Sequence, residues 1–336
     1  EELGRFPTVQ VRWDKLMFKF IFTLDKTWKA VPKGAALVIG CSTFPTWNSV
    51  PGLYASLITG NPAIVKPHPG AILPMAIVVA ELQKVLQEQD LDVNICQLAV
   101  DTPEKLITKE LAEHPTVKII DYTGNSGFGD YLERLEGKAV FTEKTGVNSA
   151  IIDSVTNLDK TLANLAFSVA LYSGQMCTAP QNFYIPAEIN TPEGTVSFEE
   201  VAQKYVEQVQ GLVNNPKAGP FVLGAIQNPA TCDRVADAQK LDGDVLLESG
   251  SIENPMFANA RIATPTVIAL DSSKKELFSK ELFGPIVLLI KTKGTDESIA
   301  LAQEMAINHG AISCGAYTTD DAVKEQIMDA MALAAT

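Results

Sequence analysis

A cysteine at position 177 stands in the run Tyr172-Ser173-Gly174-Gln175-Met176-Cys177-Thr178-Ala179, among small residues after an apolar helical pattern. Such a setting presents a thiol instead of packing it, and a presented thiol becomes a nucleophile once it loses its proton. Free cysteine is otherwise among the most buried residue types, so a cysteine with no base in view is more often part of a core. A carboxylate changes that balance. Glu143 lies 34 positions upstream, just after the β-prone run Lys138-Ala139-Val140-Phe141, and a strand end commonly faces a cleft. Together the two would supply a nucleophile and a general base.

The elements that must position them follow from the hydrophobic pattern. From residue 35 to residue 143, apolar β-prone runs alternate with helical patterns, which predicts a parallel sheet with crossover helices. Strands are expected at 36–41, 63–66, 94–99, 117–121 and 139–141, and helices at 47–59, 71–89, 103–113 and 127–135. In the second helix Leu73, Ile77, Leu82 and Leu86 fall near one face, which is expected to cover the sheet. From about Val147 the alternation resumes, with strands at 150–152, 182–185, 263–270, 286–291 and 312–317 and helices at 158–172, 198–213 and 321–335. The stretch 214–229, rich in Pro, Gly and Asn, reads as a surface loop. The fold class is therefore α/β with two domains, 1–146 and 147–336, and no internal repeat.

Composition narrows the function. A chain of 336 residues, 46% apolar and 20% charged, can bury a sizeable core, and its net charge of −13 disfavours nucleic acid or an anionic membrane as a partner. Cysteines at 41, 96, 177, 232 and 314 form no CxxC pair, which favours a reducing compartment and a cytoplasmic location over a disulfide framework. Cys41, Cys96, Cys232 and Cys314 read as core or surface thiols. Three histidines without an HExxH arrangement suggest no metal site. The start, Glu1-Glu2-Leu3-Gly4-Arg5, is not a signal peptide, and no run of about 20 apolar residues is present to span a bilayer.

Beyond composition, six segments in order resemble the aldehyde dehydrogenase superfamily. Cys41-Ser42-Thr43-Phe44-Pro45 is similar to its Asn-Phe-Pro loop, and Gly60-Asn61-Pro62-Ala63-Ile64-Val65-Lys66-Pro67 to its strand ending in Lys-Pro. Tyr122-Thr123-Gly124-Asn125 resembles the Phe-Thr-Gly-Ser turn, and Glu143-Lys144-Thr145-Gly146-Val147-Asn148 the Glu-Leu-Gly-Gly-Lys-Asn segment, with departures. Gly174-Gln175-Met176-Cys177 matches the nucleophile segment, and Glu281-Leu282-Phe283-Gly284-Pro285 the Glu-x-Phe-Gly-Pro segment. The wording around Cys41–Asn48 and Lys66–Pro74 is similar to the branch associated with phenylacetic acid degradation. Relative to the family, both ends of the chain look shortened, as in a fragment or a naturally short homologue.

The resemblance implies a Rossmann-type parallel-sheet cofactor domain followed by an α/β catalytic domain. It implies oxidation of a small-molecule aldehyde, here a coenzyme A-linked semialdehyde, by a protein that is a homo-oligomer when full length. Cys177 would be the nucleophile and Glu143 the acid that activates water. Thr43 stands where the family has an oxyanion-donating asparagine, and either donates its hydroxyl or merely packs; loss of one such donor costs roughly 10²- to 10³-fold in rate. Lys66 would bind the adenosine ribose, Gly124, Asn125 and Gly129 the pyrophosphate, and Glu281 and Phe283 the nicotinamide ribose and ring. Pro69 takes the place of a ribose-binding glutamate, which favours NADP, with NAD as the alternative. Trp47 and Tyr172 read as core aromatics. Two alternatives stay open: a weak or inactive relative serving as a binding or assembly module, and an acylating enzyme passing its thioester to coenzyme A, against which Glu143 speaks.

Overall fold

The computed structural model describes residues 8–17, 20–29 and 31–334, the first two stretches as backbone alone. Glu1–Arg5, read above as unlike a signal peptide, and Ala335 lie outside the described residues. The chain divides into two units after Lys144.

The first unit opens with an antiparallel hairpin, β1 (Thr8–Met17) and β2 (Phe20–Lys29), which the hydrophobic pattern did not predict. Next come β3 (Ala35–Ile39), α1 (Pro45–Ile58), β4 (Ala63–Lys66), α2 (Ile72–Glu88), β5 (Cys96–Leu98), α3 (Thr108–Glu113), β6 (Val117–Thr123), α4 (Ser126–Glu133) and β7 (Ala139–Glu143). Strands β3–β7 form a parallel sheet in the order β5-β4-β3-β6-β7. Each strand alternates between two cores. Ala36, Val38 and Val65 face α1 and α2 together with Leu53, Met75 and Val79, while Leu37, Ile39 and Ile120 face α3 and α4 with Ala112 and Leu132. A sheet buried on both faces needs the near-continuous apolar strands seen here. The strand order reverses between β3 and β6, and in such sheets ligands bind at that point, outside the carboxyl ends of the strands.

Three expectations in this unit are corrected. The buried face of α2 carries Met75, Val79 and Leu86, whereas Leu73 is 69% and Ile77 55% exposed. Spacings of four and seven run from Met75 through Val79 to Leu86, and that stripe, not the one through Leu73, is the face that meets the sheet. The helix expected from residue 103 begins only at Thr108, because Thr102–Lys105 forms a bridged turn tied in part by Ile107 N–H donating to Asp101 Oδ2 at 3.2 Å. Trp47, expected in the core, is 74% exposed in the first turn of α1.

The second unit runs β8 (Ser149–Ile152), α5 (Leu158–Ala170), β9 (Asn182–Pro186), a hairpin of β10 (Glu188–Thr191) and β11 (Gly194–Ser197), α6 (Phe198–Val213), the single turn α7 (Gly219–Val222) and α8 (Pro229–Ala238). It continues with β12 (Asp244–Leu247), β13 (Thr266–Asp271), α9 (Lys275–Phe278), β14 (Ile286–Thr292), α10 (Thr295–His309), β15 (Cys314–Tyr317) and α11 (Asp321–Ala334). Its sheet order is β12-β13-β14-β9-β8-β15, parallel except for β12. Phe183, Ile185, Val287 and Leu289 pack on one face against α5 and α6; Ile151, Tyr184, Leu288 and Ile290 pack on the other against α10. Side-chain caps start several of these helices, Asn157 bonding Lys160 N–H at 2.9 Å and Ser197 bonding Glu200 N–H at 3.2 Å. The helix expected to run to Tyr172 stops at Ala170, and the 214–229 loop contains α7. Among the described residues, no helix is long and apolar enough to cross a membrane.

Candidate functional site

In the first unit, the candidate residues gather at the carboxyl ends of the strands. Cys41 and Thr43 follow β3, Lys66 ends β4, Gly124 follows β6 and Glu143 ends β7. The parallel register pairs Thr123 with Glu143 and Asp121 with Phe141, so Asp121 and Glu143 project on the face covered by α1. Asn48, in the first turn of α1, donates Nδ2–H to Glu143 Oε2 at 2.9 Å, and its Oδ1 accepts from the Cys41 thiol at 3.4 Å. Thr43 Oγ1 lies 3.7 Å from the same sulfur, in hydrogen-bond reach of it. Asp121 lies against Gly52, one helical turn beyond Asn48, where any side chain would collide with its carboxylate. Burial first, and then the charge of Glu143, push the Asp121 carboxyl up to about 6.

Lys66 is almost wholly buried and ion-paired, its Nζ 2.7 Å from Asp101 Oδ1, with side chains 4% and 0% exposed. Lys66, expected to bind the adenosine ribose, is thus neutralised by a buried carboxylate. Burial and the Lys66 charge in turn hold neighbouring His68 below its ordinary range. Pro69 sits half-buried in the loop between β4 and α2. Gly124 leaves room for the Tyr122 hydroxyl, which donates to Asn125 O at 3.0 Å, and Gly124 N–H donates to Glu143 O at 3.0 Å. The Asn125 side chain caps α4 by accepting from Phe128 N–H at 3.0 Å. The Lys144 stem fills the space beside Gly129, while its Nζ pairs with Asp130 at 3.0 Å and Glu133 at 2.9 Å.

In the second unit, Cys177 occupies a turn between the end of α5 and β9, half-buried. The turn is locked from several directions. Asn148 Nδ2 donates to Cys177 O at 2.6 Å and Ala179 O at 3.2 Å, while its Oδ1 accepts from Ile312 and Ser313 N–H at 2.9 Å each. Fully buried Gln175 donates to Tyr172 O and Ala225 O at 3.0 Å and accepts from Gln227 N–H at 2.9 Å. Tyr172, Ser173 and Gly174 adopt φ of 55°, 52° and 63°, a left-handed run that turns the chain out of α5. Gly174 meets the Gly284 carbonyl so closely that a Cβ would overlap it.

A cavity beside this turn is lined by Asn148, Gly174, Met176, Glu281, Phe283 and their neighbours. The segment carrying Glu281 and Phe283 is fastened by Gln181, which accepts from Leu282 N–H at 2.5 Å and donates to Lys280 O at 3.0 Å, and by Arg234, which donates to Phe283 O at 2.7 Å. Burial raises the Glu281 carboxyl above its ordinary range, against the opposing influence of Gly146 N–H and Arg234. Among the described residues, no group of three or more His, Cys, Asp or Glu is placed to hold a metal ion.

Residues 23–334 match the family model described as the aldehyde dehydrogenase family. The chain belongs to that family. An NAD-dependent aldehyde dehydrogenase from Burkholderia multivorans superposes with a TM-score of 0.92 at 44% identity, covering 99% of this chain and 60% of that one. A glyceraldehyde-3-phosphate dehydrogenase of Methanocaldococcus jannaschii, solved with NADP, shares the fold at a TM-score of 0.72 and 17% identity, over 98% of this chain and 67% of that one. Among curated relatives, a 1-pyrroline-5-carboxylate dehydrogenase of Bacillus subtilis is 24% identical over 287 residues, 80% of this chain and 52% of the relative. A benzaldehyde dehydrogenase of the same organism is 24% identical over 279 residues, 82% of this chain and 54% of the relative. The chain thus spans about half the length of the curated relatives it matches.

For this member of the aldehyde dehydrogenase family, the α/β architecture agrees with the expectation from sequence. Sequence reasoning missed Asn48, Asp101 and Asp121, and gave Asn148 and Gln175 no role. A signal for Asp121 was present: an acid directly after the apolar pair Ile119-Ile120 in the β-prone run Val117-Lys118-Ile119-Ile120-Asp121-Tyr122. Asn48 and Asp101 carry no local signal, because their partners Glu143 and Lys66 lie 95 and 35 positions away.

Proposed function

We propose that this chain carries out NAD(P)-dependent oxidation of an aldehyde to a carboxylic acid, with Cys177 as nucleophile and Glu143 as the base for hydrolysis. The observation that carries the proposal is the turn at Cys177: a half-buried thiol on a backbone fixed by Asn148 and Gln175, beside a cavity lined by Glu281 and Phe283. The Cys177 thiolate attacks the aldehyde carbon and forms a thiohemiacetal. Bound NAD or NADP supplies the acceptor for the hydride that leaves this carbon, so that a thioester remains on the sulfur. Glu143 takes a proton from water, the water oxygen attacks the thioester carbon, the C–S bond breaks and the acid departs. Thr43 is the proposed side-chain donor to the carbonyl oxygen.

Several features support a dinucleotide as the bound cofactor. The strand order reverses between β3 and β6, and the Asn125-capped start of α4 lies at that end of the sheet, which supports placing the pyrophosphate there. Lys66, Gly124, Asn125 and Gly129 would hold the adenosine half, and Glu281 and Phe283 the nicotinamide half. Pro69 in place of an acid supports NADP, with NAD as the alternative, while the Lys66–Asp101 pair makes the lysine a neutralised donor more than a free charge. The wording around Cys41 and Lys66 supports a coenzyme A-linked semialdehyde from aromatic ring opening as the substrate, and the free thiols support a cytoplasmic setting. A homo-oligomer is the proposed state of the full-length protein.

Glu143→Gln tests the division of labour. A burst of NAD(P)H of about one equivalent per Cys177 is expected, followed by a steady state slowed by at least roughly 10²-fold. Equal slowing of both phases, with no burst, would contradict the assignment. Restoration of full turnover by coenzyme A would support the acylating alternative.

A further inference from the structure

The carboxylate of Glu143 is bonded by Asn48, a side chain to which sequence reasoning gave no role. We propose that Asn48 is a positioning residue for Glu143: its amide fixes the carboxylate in one orientation for the hydrolytic step. The inference rests on the reading of Glu143 as the hydrolytic base and adds a residue to it.

The amide orientation is determined by chemistry. A carboxylate only accepts, so the group 2.9 Å from Glu143 Oε2 must be Asn48 Nδ2–H. At its other end, Asn48 Oδ1 sits 3.4 Å from Cys41 Sγ, and a thiol donates to an oxygen acceptor. The two contacts agree on one flip state, and a flipped amide would set its oxygen against the Glu143 carboxylate. Asn48 itself is anchored in the first turn of α1, where its N–H donates to Phe44 O at 3.0 Å, so the donor is carried on a rigid element and not on a loop.

The need for such a donor comes from the other acid on this face. Asp121 and Glu143 project from adjacent strands toward α1, and Gly52 leaves room for the Asp121 carboxylate one helical turn from Asn48. On α1, Asn48 and Gly52 are spaced i, i+4, so one helix face presents a donor to Glu143 and an open space to Asp121. Without the amide, the Glu143 carboxylate would lose the hydrogen bond from Asn48 and would share the face with a second acid. Its carboxylate would then sample several rotamers, and proton abstraction from water requires one.

The test uses the full chain, with Asn48→Leu, which keeps the size and removes the donor, and Asn48→Asp, which keeps the shape and replaces the donor with an acceptor. Single-turnover and steady-state kinetics with aldehyde and NADP should show an unchanged burst in the leucine variant. Its thioester hydrolysis should fall roughly 10- to 100-fold, with the aspartate variant slower still. A structural defect would lower both phases. If Glu143→Gln slows hydrolysis and the folded Asn48→Leu protein hydrolyses at the wild-type rate, the positioning role is wrong and the base assignment stands. If Glu143→Gln itself leaves hydrolysis unchanged, it is the base assignment that fails. A measurement on the wild-type fold without cofactor guards against misfolded variants. The Asn48 side-chain amide protons, followed by NMR, should shift when Glu143 is replaced by glutamine, and insensitivity of those protons would equally overturn the contact.

Discussion

At the scale of single residues, the first unit is organised by charged groups placed where they must be answered. Lys66 and Asp101 answer each other in a buried pair, and removal of either partner of such a pair typically costs about 3–5 kcal/mol because the other is left uncompensated. Among the described residues, no cation is paired with Asp121. Its carboxyl rises from an ordinary 3.8 to about 6, first through burial and then through Glu143, so the folded state holds a proton that the unfolded chain releases. The sign follows directly. Asp121 contributes its full stabilisation below about pH 3.8, and that contribution is lost as pH rises through about 6. Asp121→Asn should therefore flatten the fall in stability between those values, by about 1 kcal/mol after discounting for solvent screening, in urea unfolding at a series of pH values. Parallel pH profiles for wild type and variant would contradict the account. An acid in a β-prone run was the one trace of this in the sequence; the cover over Asp121 was not legible, because the expected strand ended at residue 121. The strand runs on to Thr123 and turns it into a covered position.

At the scale of elements, the loop from Leu171 to Gln181 carries the argument. The apolar periodicity of α5 extends to Tyr172, and nothing in the local composition marks Tyr172 and Ser173 as left-handed. They are held there by tertiary bonds, Ser173 Oγ to Gly224 O at 2.9 Å and Gln175 to Ala225 O. Gly174 was visible as a small residue, but its reason was not: the Gly284 carbonyl, 110 positions away, occupies the place of a Cβ. Gly174→Ala should cost more than about 2 kcal/mol, combining an unfavourable positive φ with a backbone collision, and should lower the rate of acylation at Cys177. Gly211→Ala is the matched control. That glycine lies within α6 with nothing near its missing Cβ, so the substitution should stabilise by about 0.5–1 kcal/mol. Chemical denaturation of both variants decides the matter, and equal effects at the two glycines would refute the close-packing explanation. The stripe on α2 is a second lesson at this scale. Leu73 and Ile77 were as apolar as Met75 and Val79, and only the contact with the sheet distinguishes the two faces.

At the scale of the whole molecule, alternation of strand and helix was enough to read the α/β class, and an ordered series of motifs was enough to read the family to which residues 23–334 belong. The hairpins β1–β2 and β10–β11 were not read, since antiparallel pairs set off from the main sheets do not alter the strand–helix alternation. The central claim is that Cys177 forms a covalent bond with the aldehyde carbon and that oxidation takes place on that bond. The most direct measurement is a single-turnover reaction of wild type and Cys177→Ala with aldehyde and NADP, quenched in acid and weighed intact while NADPH is followed by absorbance. The wild type should show one NADPH per site in step with a mass increase equal to the acyl group, the increase lost on digestion that removes the peptide containing Cys177. The alanine variant should show neither, with NADP affinity within a few-fold of wild type. NADPH formed by Cys177→Ala at the wild-type rate, or an adduct mapped to another cysteine, would contradict the account.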